Sequence, residues 1–264
     1  MAGHSKWANI KRQKARVDAV KGKIFAKISR EIIVAARSGV PDPEGNFQLR
    51  TAIDKAKAAG VPNDNIDRAI AKGAGKLGAG DALEAIRYEG YGPGGVAILI
   101  EALTDNRNRT AADLRAAFSK RGGNLGETGC VGWMFEQKGV ATIARPGQGK
   151  VKYAPIDEEA LLNTLLEVEA DTYTLIDLDD DYGGADVFTH VNQLETLSQV
   201  LAEHGYVVVQ AELRWIPNNS VEVTDPEQAR NLVRLMDTLE DLDDVQTVTA
   251  NFDMSDELLT VSMV

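Results

Sequence analysis

The chain has 264 residues, 44% of them hydrophobic, with 29 Lys and Arg against 40 Asp and Glu for a formal net charge of −11. That length and apolar content suit two or three domains with ordinary cores, while runs such as Ala97–Ile100 fall far short of the roughly 20 apolar residues that span a bilayer. The amino terminus is basic but has no apolar stretch followed by a cleavage site, so no secretory signal and no membrane contact are expected and a cytoplasmic location is the default; Cys130 is the lone cysteine, which excludes an internal disulfide and makes a packed structural thiol the simpler expectation.

The acidic total hides an asymmetry. Residues 1–76 hold sixteen Lys and Arg against seven Asp and Glu, a net of +9 that leaves −20 for the remainder. Surface charges are screened beyond roughly 8 Å at physiological salt, so the local patch decides the partner.

In chain order, SKWANIKRQKAR predicts a short helix capped by Ser5, spreading Lys6, Lys11, Arg12, Lys14 and Arg16 around Trp7 and Ile10. Asp18–Ser38 has the 3.6-residue period of an amphipathic helix stopped by Gly39, Pro41 and Pro43. Ile24, Phe25, Ile28, Ile32 and Ala35 fall on one face, and Lys23, Lys27, Arg30 and Arg37 on the opposite one. FQLRTAIDKAKAAG reads as a third helix ending at Gly60, and a fourth runs from Asn63, its expected cap, to Gly73. Short helices of this kind bury their apolar faces only against each other, giving a small bundle. A basic stripe on a bundle can be a solvated face, but here ten cations meet only Asp18 and Glu31 through Arg37, and such self-repulsion points to phosphate as partner. Trp7 either stacks on an unpaired base or plugs the small core.

GAGKLGAG at 73–80 lacks the Lys-Ser/Thr ending of a phosphate loop and reads as a linker. AIRYEGY and VAILIEAL are two strands joined through GPGG, which fails as a dinucleotide fingerprint because Pro93 interrupts it and a strand follows. A helix is then expected from Thr110, with Asp113 in capping-box position, to Gly122. It gathers Arg107, Arg109, Arg115, Lys120 and Arg121, a cluster that either neutralises nearby carboxylates or contacts phosphate.

Residues 139–213 spell strand GVATIAR, helix Asp157–Ala170, strands TYTLIDL and DVFTHV, helix Asn192–His204 and strand YVVVQAEL, the β-α-β-β-α-β order of ferredoxin-like domains. Afterwards come strand SVEVT, a helix opened by Asp225 and Pro226, and strand VQTVTANF. The expected fold is therefore α+β: a basic helical domain over 1–76, a discontinuous α+β domain over 81–134 and 214–264, and an acidic ferredoxin-like domain over 135–213 inserted in it, both sheet domains being of ferredoxin-like type. Two sequential modules would fit the periodicity alone.

No nucleophile, base and orienting group assemble from these residues, so no enzyme, no catalytic residues, no cofactor and no metal are expected. His4, His190 and His204 are scattered, and His204 in the last turn of its helix is explained by the helix dipole. DLDDDYG at 177–183 resembles the opening of a calcium loop, but Tyr182 stands where glycine is required and Phe188 where the bidentate glutamate is, leaving a solvated acidic turn.

Four segments carry a family resemblance: GHSKWANIKRQKARVDAVKGKIFAKISREI, VPNDNIDRAIAKGAG, YEGYGPGGVAILIEALTDNRNRTAADLRAAFSKRGGNLG and IPNNSVEV. On these the chain resembles the YebC family of bacterial and organellar gene-expression regulators, over essentially its full length. DTYTLIDLDDDYGGADVFTHVN at 171–192 departs from the family's usual acidic pattern. The resemblance implies a helical amino-terminal domain with two α+β domains, a cytosolic protein without enzymatic activity, and one of two functions: a DNA-binding transcriptional regulator, or a ribosome-associated translation factor relieving stalling at proline-rich sequences.

The expected function is accordingly nucleic-acid binding in the regulation of gene expression, with Lys6, Trp7, Lys11, Arg12, Lys14, Arg16, Lys23, Lys27, Arg30 and Arg37, helped by Arg107, Arg109 and Arg115, gripping DNA or ribosomal RNA. No helix-turn-helix is evident, so backbone contact dominates and structured RNA suits the stripe at least as well as duplex DNA. A different class is a non-catalytic protein-interaction adaptor whose acidic domains meet a basic protein or the ribosome. The oligomeric state stays open.

Overall fold

Three helices begin the described part of the chain: α1 (Lys21–Ser38), α2 (Phe47–Ala58) and α3 (Asn63–Gly73). They belong to a computed structural model that describes residue 7 and residues 21–76, 83–147, 153–179 and 182–263. α1 packs on both α2 and α3, and the shared core is Ile28, Ile32, Ile33, Ala35 and Ala36 of α1 with Leu49, Ile53, Ala56, Val61, Ile66 and Ala69. Covering by two helices turns the apolar seam of α1 from the face the sequence predicts. Ile33 and Ala36 are buried, whereas Ile24, expected in the seam, is 36% exposed.

Two local devices set this bundle. Asn46 caps α2 by accepting from the Leu49 N–H at 3.0 Å, and its amide donates to the carbonyls of Ala35 and Val40 at 2.9 Å, tying α2 to the end of α1. Gly73 admits the close crossing of α3, since a Cβ there would lie 2.5 Å from the Ile33 carbonyl oxygen. Asn63 is the first helical residue and not the cap; Pro62 holds that position without a side-chain bond. Nor is Gly73–Lys76 linker. Gly75, at φ +75°, closes α3 with its N–H on the Lys72 carbonyl (3.2 Å) and the Lys76 N–H on that of Ala71 (2.9 Å).

The first sheet has the order β10-β2-β1-β3, built from β1 (Glu84–Tyr91), β2 (Ala97–Thr104), β3 (Asn124–Leu125) and β10 (Val245–Ala250), every pair antiparallel. β2 is flanked on both sides and is almost wholly buried. Gly94 and Gly95, both at φ +75°, supply the left-handed turn between β1 and β2. α4 (Arg107–Lys120) follows β2, and α7 (Pro226–Glu240) precedes β10 with Asp225 accepting from the Gln228 N–H at its cap. Asn106 caps α4, so that helix begins three residues before the predicted Thr110 start. Val96, Ile98, Ile100, Leu114, Phe118, Leu232, Val233 and Met236 fill the core between sheet and helices. β9 (Val221–Glu222) pairs in parallel with β11 (Phe252–Asp253), and α8 (Asp256–Ser262) packs on α7.

The second sheet joins β4 (Phe135–Pro146), β5 (Tyr153–Ala154), β6 (Ala170–Asp179), β7 (Tyr182–Thr189) and β8 (Val207–Pro217) in the order β5-β4-β7-β6, with β8 also on β4. α5 (Glu158–Leu165) and α6 (Leu194–Glu203) complete it. Strand order β8-β4-β7-β6 is that of a split β-α-β pair, the ferredoxin-like arrangement. Ala141 faces Val187 and Ile143 faces Ala185, and these four are buried along with Leu161, Leu194, Leu197 and Leu201 of the helices. α5 stops at Leu165, five residues short of the predicted Ala170, because β6 already begins there. The acidic stretch at 177–183 is drawn into the ends of β6 and β7, where Asp179 pairs with Tyr182; residues 180–181 lie outside the described residues.

The chain thus has the α+β fold. It divides into two compact units, one within Met1–Phe135 and Pro217–Val264, the other within Glu136–Ile216.

Candidate nucleic-acid interface

The basic stripe of α1 exists as a stripe, but it faces protein. α7 ends in Thr238-Leu239-Glu240 with no basic residue in its last turn, leaving terminal carbonyls and the negative end of the helix dipole without a local cation. α1 supplies three. Lys23 Nζ donates to the Asp241 carbonyl (3.3 Å), Lys27 Nζ to that of Glu240 (2.5 Å), and the Arg30 guanidinium to that of Asp243. These residues, expected to grip phosphate, are engaged with the acidic turn after α7; the i, i+4, i+7 spacing that makes a phosphate-binding stripe equally matches a helix end rich in carboxylates.

Asp244 finishes that turn and is the hub of the second predicted cluster. Its carboxylate accepts from Arg109 Nη2 (2.8 Å), Thr110 Oγ1 (2.8 Å) and Thr104 Oγ1 (3.2 Å), with Arg30 Nη1 at 3.5 Å. Burial alone would raise its pKa, but the hydrogen bonds from Arg109 and Thr110 outweigh burial and hold it below the usual carboxylate range. Arg109 also reaches Asp105 at 2.8 Å, and Arg107 stands 3.7 Å from Glu84. Of the two alternatives for the 107–121 cluster, neutralising carboxylates describes Arg107 and Arg109. The Arg115 side chain is exposed and, among the described residues, makes no hydrogen bond or ion pair.

Trp7 is 1% exposed and packs in the core of the first sheet with Ile98, Phe118 and Met236, so it neither offers a face to a base nor plugs the helical core. Arg37 is exposed, with Nη1 3.4 Å from the Leu83 carbonyl. Lys6, Lys11, Arg12, Lys14 and Arg16 lie outside the described residues. The structure adds cations that sequence reading passed over: Arg68, Lys72 and Lys76 are exposed. Their signal was the i, i+4, i+8 spacing, obscured because Lys76 fell in an apparent linker.

Away from these cations, the loop Gly126–Gly132 wraps a buried carboxylate. Glu89 accepts from the backbone N–H groups of Gly129 (2.9 Å), Val131 (2.7 Å) and Gly132 (2.7 Å). Burial would raise its pKa; the three hydrogen bonds overcome this and hold it low. Beside it, burial and then the charge of Glu89 push the Cys130 thiol up, which disfavours the reactive thiolate. In the second unit Arg214 bonds Asp186 (2.6 Å), Glu212 (2.6 Å) and Thr142 (3.1 Å). His204 Nδ1 lies 2.9 Å from the Val200 carbonyl and Nε2 lies 3.2 Å from Glu167. Among the described residues no group of three or more His, Cys, Asp or Glu is placed to hold a metal ion, and no helix is long and apolar enough to cross a membrane.

Comparison with known proteins bears on the whole chain. The model of the TACO1/YebC N-terminal domain matches residues 5–76, and that of the TACO1/YebC second and third domain matches residues 83–252. A probable transcriptional regulatory protein of Gloeothece citriformis is 70% identical over 264 residues, the full length of both chains. Another, of Cyanothece sp. (strain PCC 7425), is 68% identical over the same span. The crystal structure of a conserved hypothetical protein, Aq1575 from Aquifex aeolicus, superposes with a TM-score of 0.80 at 43% identity, covering 93% of this chain and 95% of that one. With both family models spanning nearly all its residues, the chain belongs to the TACO1/YebC family.

Proposed function

We propose that this chain is a non-enzymatic, cytoplasmic regulator of gene expression that binds nucleic acid, acting on DNA as a transcriptional regulator. Its relatives in Gloeothece and Cyanothece are named probable transcriptional regulatory proteins. The observation that carries the reading is the +9 charge of residues 1–76, of which the turn after α7 engages only the three cations Lys23, Lys27 and Arg30. The remaining cations of this segment, with Lys6, Lys11, Arg12, Lys14, Arg16 and Arg37 among them and Arg115 as auxiliary, form the phosphate grip. In the proposed division, 1–76 binds, 81–134 with 214–264 supports it, and the inserted 135–213 domain meets a partner.

A second reading, a translation factor on ribosomal RNA, is favoured by one feature. Arg68, Lys72 and Lys76, the exposed cations of α3 and its end, form a row of Lys and Arg, the residue types that most often contact phosphate. Sedimentation of the full chain from lysate, with DNase, with RNase or with neither, separates the two. DNase-sensitive pelleting supports the first, RNase-sensitive comigration with ribosomes supports the second, and pelleting indifferent to both overturns nucleic-acid binding in favour of a protein adaptor.

A further inference from the structure

We infer that the phosphate-contacting ridge of the helical segment is the outer face and carboxyl end of α3, formed by Arg68, Lys72 and Lys76, and that the stripe of α1 is a structural clamp. The inference rests on the nucleic-acid reading above and adds which residues make the contact.

Two observations lead to it. First, Lys23, Lys27 and Arg30 each spend a donor on a carbonyl of the turn after α7, and the Asp244 carboxylate 3.5 Å from Arg30 offsets their charge toward a phosphate. Second, α3 buries Ile66, Ala69 and Gly73 toward α1, which at 100° per residue turns Arg68 away from that face and Lys72 to the adjoining flank. Both are exposed, as is Lys76, and among the described residues none of the three forms a hydrogen bond or ion pair through its side chain. Asp64 lies one turn before Arg68 without pairing to it, and no carboxylate occurs from Arg68 through Lys76.

The geometry suits a polyanion. Arg68 and Lys72 stand about 6 Å apart along the helix axis, and the Gly75 turn fixes the backbone of Lys76 immediately beyond, through its N–H on the Ala71 carbonyl. Like charges one turn apart repel, and a phosphate backbone relieves that repulsion while releasing its counterions. The partner chemistry is a nucleic-acid phosphate backbone, read without regard to base.

The test measures affinity of the full-length chain for a 30-base-pair duplex DNA and for an RNA hairpin, each across a salt series. R68A/K72A/K76A should lower the magnitude of the log affinity against log salt slope by about 2 to 3 on the preferred probe and leave the thermal midpoint nearly unchanged. The charge-preserving R68K/K72R/K76R should keep the wild-type slope. K23A/K27A/R30A should keep that slope while lowering the midpoint. A wild-type slope in R68A/K72A/K76A, or a loss of slope confined to the α1 triple variant, overturns the ridge while leaving nucleic-acid binding in place. Wild-type protein that binds neither probe overturns the functional reading itself, and the ridge with it.

Discussion

Arg30 and Asp244 stand 3.5 Å apart although 214 positions separate them, and that contact holds α1 against the end of α7. Asp244 simultaneously takes Arg109, Thr110 and Thr104, so one buried carboxylate serves α1, β2 and α4. Acid at this position therefore explains why cations at 30 and 109, far apart in the chain, are both paired.

Replacing Asp244 by Asn leaves two guanidinium groups facing a neutral amide. D244N should destabilise the protein by about 1–3 kcal/mol. Its folded-state pKa lies below the unfolded value, so the carboxylate contributes stability at neutral pH that is lost as the pH falls through the depressed folded value. Denaturant unfolding of the wild type between pH 7 and pH 3 should show that acid loss, and D244N should show less of it. Equal pH dependence in the two proteins would remove Asp244 from this role.

Glu89 and Cys130 give a chemical readout of a buried charge. Burial and the Glu89 carboxylate both push the thiol up, so the wild type should react slowly with a thiol reagent at pH 8. E89Q removes the charge and one acceptor of the Val131 and Gly132 N–H groups, which share the same carboxylate oxygen. The variant should lose about 1–3 kcal/mol of stability and its Cys130 should react several-fold faster, by roughly the factor that a lower thiol pKa gives in thiolate fraction. Unchanged reactivity in E89Q would show that access alone limits the thiol.

How far the sequence carried depends on whether a feature is local. Among the described residues, the helix periods between Lys21 and Gly73, the Asp225-Pro226 start and the strand-helix order of the second unit are set within a few residues of chain, and each matches an observed element; the helix expected from Ser5 lies outside the described residues. The start of α4 was missed because Asn106 caps it while Thr110, the predicted start, spends its hydroxyl on Asp244 and Thr104. The α1 stripe was legible as a stripe, but its partner was not: the turn at Glu240–Asp244 lies more than 200 positions away, and nothing in the spacing of Lys23, Lys27 and Arg30 distinguishes carbonyls from phosphate. Trp7 was misplaced for the same reason. The core it joins, which includes Ile98, Phe118 and Met236, is built from elements that periodicity assigns to another domain.

Trp7 should accordingly behave as a core residue. W7A should cost about 3–5 kcal/mol, W7F distinctly less, and both should retain the wild-type salt slope wherever they remain folded. Acrylamide should quench Trp133, which is 69% exposed, and leave Trp7, at 1%, protected. A W7A protein of wild-type stability with weakened nucleic-acid binding would restore the stacking role that burial removes.

The Arg214 network makes the corresponding case in the second unit. Arg214 joins Asp186 of β7 to Glu212 of its own strand and to Thr142 of β4, and the Thr142 hydroxyl closes the ring on Asp186 at 2.5 Å. Burial works against the guanidinium charge, yet the two carboxylates more than offset it and keep Arg214 firmly protonated. Removing the cation leaves the buried Asp186 and the half-buried Glu212 without a counter-charge, so R214L should destabilise by about 3–5 kcal/mol. In R214L/D186L one of those carboxylates is gone and apolar packing replaces it; the double variant should recover part of the loss, with a coupling energy of at least about 1 kcal/mol in a double-mutant cycle. Strictly additive single losses, measured by urea unfolding of the full chain, would show that Arg214 and Asp186 contribute independently, and that the network is only a set of neighbours.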